Sequence, residues 1–179
     1  MARLAPVGAV VVVLLPLLGC QGGGDLDRTG SGRTLPAGPP AQVTIPALDL
    51  QLRLPGELAD LTYEIGMFEA EQPTLLFSTE TLAAVGGDSC AAGARGAVSP
   101  YPIGQIVIST ETPGQVRREA QANPAEDPGS FVKALGDRYL YYIAPPAEGC
   151  AAGNTTVDTM QDKLTRLLRE ALPSAASIR

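Results

Sequence analysis

The sequence predicts an α+β domain: an antiparallel sheet of about 4–6 strands packed with a long C-terminal helix and one or two short helices. Three observations carry this. Apolar residues alternate with polar ones over short stretches bounded by Gly and Pro, as half-buried strands require. Residues 155–172 instead repeat their apolar positions at helical spacing. The short alternating runs precede a single long helix rather than alternating with long helices, which argues against a parallel βαβ sheet.

The elements follow in order. Leu48, Leu50, Leu52 and Leu54 alternate with Asp49, Gln51 and Arg53, a strand with one apolar face that Pro55-Gly56 ends. Leu61–Met67 and Thr74–Phe77 are the next two strands. Ser78 or Thr79 caps a short helix running through Val85, which Gly86-Gly87 closes. Ile103–Thr110 is a fourth strand, followed by Pro113-Gly114. Residues 115–122 suit a helical turn or two, and Asn123–Gly129 a polar loop. Phe131–Leu135 and Arg138–Ala144 flank Gly136-Asp137 as a hairpin. In the last helix, capped by Thr155 or Thr156, the residues Val157, Met160, Leu164, Leu167, Leu168, Ala171 and Leu172 share a face. Asp158 and Asp162 lie in its first half and Arg166 and Arg169 in its second, as the helix dipole favours, and Pro173 stops it. Its polar face carries both signs of charge, which suits packing on the sheet better than lying on a membrane.

Composition bounds the function. The chain has 179 residues, enough for one domain with extensions, and is 45% hydrophobic and 18% charged, a globular balance. The net charge of −6 and the absence of a basic stripe argue against nucleic-acid binding. There is no histidine. A Ser-His-Asp triad, a Cys-His dyad and a His-containing metal site cannot be built from this chain. No metal site, cofactor or catalytic residue is expected.

The N-terminus carries the sharpest signal. Arg3 is followed by Leu4–Leu18, an uncharged run of 15 residues that ends in Leu17-Leu18-Gly19-Cys20. A spanning helix needs about 20 apolar residues, so the run fits the apolar region of a signal peptide better than a membrane span. Pro6 and Pro16 also interrupt a long helix. The tetrapeptide resembles the lipobox of bacterial lipoprotein precursors. Leu17 and Gly19 match that motif, and Leu18 is bulkier than the usual occupant of its position. The resemblance covers residues 1–20 and implies cleavage before Cys20. It also implies a diacylglyceryl group on the Cys20 sulfur and an acylated N-terminus, palmitate being a typical chain. Several acyl chains hold such a protein stably on a membrane. The implied location is the cell membrane or outer membrane, facing the periplasm or exterior.

Three segments result: a signal peptide at 1–19, a lipid-anchored Gly/Pro-rich tether at 20–40, and one extracytoplasmic domain at 41–179. The tether lacks any apolar period and reaches on the order of 25 Å as a flexible coil. With Cys20 assigned to lipid, Cys90 and Cys150 remain as a pair, read as a disulfide in an exported domain. It would tie the loop after the short helix to the start of the last one.

The remaining motifs are weak. Gly87-Asp88-Ser89 has the start of an esterase signature but no histidine to serve it. Ser130 and Lys133 have the Ser-x-x-Lys spacing of penicillin-binding enzymes, without the companion motifs. Glu64, Glu69, Glu71 and Glu80 are near in sequence, where a carboxylate pair at the right distance hydrolyses glycosidic bonds; a solvated acidic face is the plainer reading. Tyr139 and Tyr141 fall on one face of a strand, opposite Leu140 and Tyr142. If the latter face is core, the two tyrosines form an exposed aromatic surface for a ligand. If the former face is core, they are packing. The expected function is therefore a non-enzymatic binding or structural module of the cell envelope, its ligand or protein partner unknown. The alternatives are a small histidine-free hydrolase using a carboxylate pair or Ser130 and Lys133, and an inhibitor of an envelope enzyme.

Overall fold

A computed structural model describes residues 39–68, 72–97, 99–123 and 129–178. The signal peptide, Cys20 and nearly all of the tether lie outside the described residues. The fold is α+β, as the patterning implies, but it has two antiparallel sheets rather than one.

The smaller sheet has the order β1-β2-β8, with β1 at Ala41–Ile45, β2 at Leu50–Leu54 and β8 at Ala176–Ser177. The alternation of Ala41, Val43 and Ile45 with Gln42 and Thr44 is the signal for β1. In β2, Leu50, Leu52 and Leu54 point into the core as the period-2 pattern requires. Leu48 is buried too, but it belongs to a 3₁₀ turn at Pro46–Leu48, and the strand starts two residues later than the alternation suggests. Pro46 starts that turn, and Asp49 closes it in the left-handed region at φ 54°.

The larger sheet has the order β3-β4-β5-β7-β6. Its strands are β3 (Leu61–Phe68), β4 (Gln72–Thr79), β5 (Gly104–Ser109), β6 (Ser130–Leu135) and β7 (Arg138–Ile143). Every pairing is antiparallel. Gly136 at φ 66° begins the two-residue β6–β7 turn. Register sorts the faces: Leu75, Ile106 and Tyr142 lie side by side on one, Thr74, Val107 and Tyr141 on the other. The central β5 is buried at all six positions.

Three α-helices complete the described structure: α1 (Glu80–Gly86), α2 (Pro113–Ala122) and α3 (Thr155–Ala171). Thr79, not Ser78, caps α1, accepting from the Leu82 amide at 3.0 Å. Ser78 instead donates to the Cys90 carbonyl. Pro113, which reads as a strand terminator, is the first residue of α2, where its missing N–H costs nothing. A capping box between Thr112 and Gln115 fixes that start, so α2 has ten residues rather than a turn or two. Asn154, not Thr155 or Thr156, caps α3, accepting from the Val157 amide at 3.3 Å.

One main core joins both sheets to α1 and α3. It includes Leu50, Leu52 and Leu54 of β2, Leu75 and Phe77 of β4, Ile106 of β5, Leu140 and Tyr142 of β7, and Val157, Leu164 and Leu168 of α3. The expected face of α3 is the one that packs, with Gln161 added to it. That buried side chain accepts the Cys150 amide at 2.9 Å, which leaves no penalty for an unmade bond there. Cys90 and Cys150 form the disulfide the sequence implies, joining the 3₁₀ turn after α1 to the loop before α3.

Candidate functional site

Of the residues singled out in the sequence, Tyr139 and Tyr141 offered a ligand surface. Leu140 and Tyr142 do face the main core, which is the condition for exposing the two tyrosines. Yet Tyr141 is only 3% exposed and Tyr139 is half-buried. The exposed pair is therefore corrected to a second, smaller core. Tyr141 clusters with Val107 and Ile143, and Tyr101, Tyr139 and Val116 of α2 pack against them. Both faces of β7 are covered, one by the main core and the other by α2. The cover comes from Val116, in the first turn of α2, with Tyr101 and Tyr139 beside it.

The Tyr141 hydroxyl donates to the Glu111 carbonyl at 2.9 Å, just before α2. Burial, with smaller contributions from the nearby Glu111 and Tyr139, raises its pKa above the usual tyrosine value. On the other face the Tyr142 hydroxyl donates to the Ile103 carbonyl at 3.1 Å. Burial pushes its pKa up to about 12, against a lowering influence of Arg169. Its ring lies over Gly104, where a Cβ would fall 2.3 Å from a ring carbon. Neither hydroxyl is poised for proton transfer near neutral pH.

The aromatic that does reach solvent on this face is Phe131, 48% exposed. Its ring centroid lies 6.3 Å from that of Tyr139 and 6.0 Å from that of Tyr141. A bulge between Phe131 and Lys133 breaks the β6 register. The sequence gives no sign of that bulge, so Phe131 reads there only as a strand residue.

The bulge also brings Ser130 and Lys133 to the same sheet face, opposite Tyr142 and Leu140. They lie on a strand, however, and the Lys133 ammonium bonds the carbonyls of Ala175 at 2.7 Å and Pro173 at 3.2 Å. It acts there as a tie between β6 and the segment after α3. Glu64 and Glu80 are both exposed. Glu69 and Glu71 lie outside the described residues. Ser89 donates weakly to the Gly86 carbonyl at 3.5 Å. Among the described residues, no three His, Cys, Asp or Glu side chains cluster as metal ligands would.

An open cleft of about 520 Å³ is lined by Asp49, Leu135, Gly136, Asp137, Arg138 and Ser177. Two of its charged groups, Arg138 and Asp49, serve each other. Arg138 bonds the Asp49 carboxylate at 3.3 Å and the Leu48 carbonyl at 3.0 Å, and Ser177 donates to the same Asp49 oxygen. This clamp ties the β1–β2 turn to β7 and β8. No helix among the described residues is long and apolar enough to cross a membrane. No protein-family model, curated protein or solved structure matches the chain.

Proposed function

We propose that the chain is a lipid-anchored extracytoplasmic protein whose domain is a non-enzymatic binding or structural module of the cell envelope. The observation that carries this reading is the Cys90–Cys150 disulfide. Such bonds persist in exported domains and are rare in reducing cytosol. Joined to the lipobox-like Leu17-Leu18-Gly19-Cys20, it favours export followed by anchoring on Cys20. The non-enzymatic part is supported by the lack of histidine and by the use of Lys133 and Tyr141 as ties to backbone carbonyls.

The test is to express the full chain in bacterial cells fed an alkyne-bearing palmitate. Wild type is expected to take up the label and sediment with membranes. Cys20→Ser is expected to lose both properties. A wild-type chain without label, or a Cys20→Ser chain that keeps it, would sink the anchor.

A further inference from the structure

The edge of a sheet presents unpaired backbone N–H and C=O groups, and proteins usually disarm it with bulges, charges, prolines or a covering segment. The two edges of the larger sheet are treated differently. β6 has a bulge and a lysine, and Lys133 binds it to the carbonyls of Pro173 and Ala175. β3 has no bulge, proline or lysine, and its one charge is Glu64. Its register with β4 runs unbroken from Leu61↔Thr79 to Phe68↔Gln72. Among the described residues no strand pairs with its other side.

The side chains repeat the contrast. Tyr63 and Ile65 lie opposite Phe77 and Leu75 on the core face of the sheet. Phe77 and Leu75 are 0% exposed, but Tyr63 is 38% and Ile65 44% exposed. Leu61 still packs against the main core, but cover thins along β3, where an aromatic and an aliphatic side chain are partly open to water. The surrounding charge is mostly of one sign. Glu64 lies in the strand; Asp60 precedes it, its carboxylate accepting from Thr81 and its carbonyl from the amide of the exposed Glu80. The loop whose Gly93 sits against the Glu64 carboxylate also carries an exposed arginine, Arg95.

We infer that the β3 edge docks an extended, cationic, alternately apolar segment of another protein, which adds a sixth strand to the sheet. This rests on the binding-module reading above and names the partner's chemistry. Backbone pairing supplies the affinity, and the alternating side chains supply the specificity. Apolar residues of the added strand lie beside Tyr63 and Ile65, and a lysine or arginine lies across from Glu64. A second copy of this chain suits the edge less well, because it brings the same acids against each other.

The test uses the full-length protein in detergent and a synthetic peptide alternating lysine with valine. Its comparators are a glutamate–valine peptide and a lysine–valine peptide interrupted by proline. Binding is read by fluorescence anisotropy at low and high salt, and the site by amide hydrogen exchange. The lysine–valine peptide is expected to bind, to weaken with salt, and to slow exchange within residues 61–68. Ile65→Lys is expected to weaken binding about tenfold or more, the equivalent of about 1.4 kcal/mol. Phe131→Lys, on the disarmed edge, is expected to leave it unchanged. Both side chains are substantially exposed, and a thermal melt verifies that the variants fold. Equal binding of the glutamate peptide overturns the charge assignment, and no binding by any peptide overturns the proposal as a whole. Protection outside 61–68 overturns the edge but leaves a binding module standing. Self-association that protects 61–68 without peptide replaces the cationic partner with a second copy. The palmitate experiment succeeds or fails independently of all four.

Discussion

At the scale of single residues, Tyr142 shows how a polar group is tolerated in an apolar core. Its hydroxyl has the Ile103 carbonyl as acceptor, and its ring occupies the space that Gly104 leaves. Burial raises its pKa from 10.0 to about 12, so the folded state holds the phenol proton where the unfolded chain gives it up. Below the unfolded value both states are protonated and the side chain's contribution to stability is complete. As pH climbs from about 10 to about 12, the unfolded state ionises first and stability falls. The loss is on the order of 2–3 kcal/mol from this one group. Urea denaturation at a series of alkaline pH values should show the decline, and Tyr142→Phe should flatten it. At neutral pH the same variant should cost about 1 kcal/mol for the missing hydrogen bond. Gly104→Ala should be worse, because a methyl group there meets the Tyr142 ring and the backbone sits at φ 127°.

Among the elements, those with a strong period were legible and those held by local chemistry were not. The apolar stripe of α3 was plain in Val157, Leu164 and Leu168, because a long helix on a core repeats its signal. The β6–β7 hairpin was equally plain, because Gly136-Asp137 separates two apolar runs. α2 was read short because its apolar content is essentially Val116, and its start is set by the Thr112–Gln115 capping box rather than by hydrophobic repetition. The error in the candidate site came from elsewhere: the sequence does not show that Val116 and Tyr101 meet the second face of β7. Those contacts are long-range, so the sequence offers an aromatic surface that the fold removes. The bulge in β6 was not legible for another reason. Nothing in Ser130–Leu135 forces an extra residue locally, and the shift arises from pairing with β7. Replacing Val116 with Asp tests the cover directly. It should place a carboxylate against Val107, Tyr141 and Ile143 and release α2, seen as faster hydrogen exchange in 113–122 with α3 unaffected.

Over the whole molecule, the disulfide spans 60 residues of sequence and joins two loops at the ends of helices. A closed loop of that length lowers the entropy of the unfolded chain, which stabilises the fold by about 4 kcal/mol in the chain-entropy model. Replacing both Cys90 and Cys150 with Ala should cost 2–5 kcal/mol, roughly the whole margin of a small domain, so the variant should melt far lower or fail to accumulate. Denaturation of oxidised and reduced wild type side by side gives the same comparison without a mutation. β4, β5 and β7 were recognisable as strands one by one, but their order in the sheet was not. Strand order depends on which faces meet, and the sequence shows only that each strand has a face to bury.

The β1–β2 hairpin is fastened at its turn, where Arg138 grips Leu48 and Asp49, and on β2 near its entry, where Ser174 bonds both backbone groups of Arg53. A steady pull on the chain ahead of Ala41 therefore loads the β1 hydrogen bonds one at a time from the free end, the weakest way to stress a ladder. Opening β1 that way also draws Val43 and Ile45 out of the main core, so the apolar contacts resist together with the ladder. β1 is thus the first element to meet a pull from the N-terminal side, and its buried Ile45 sets where the resistance rises.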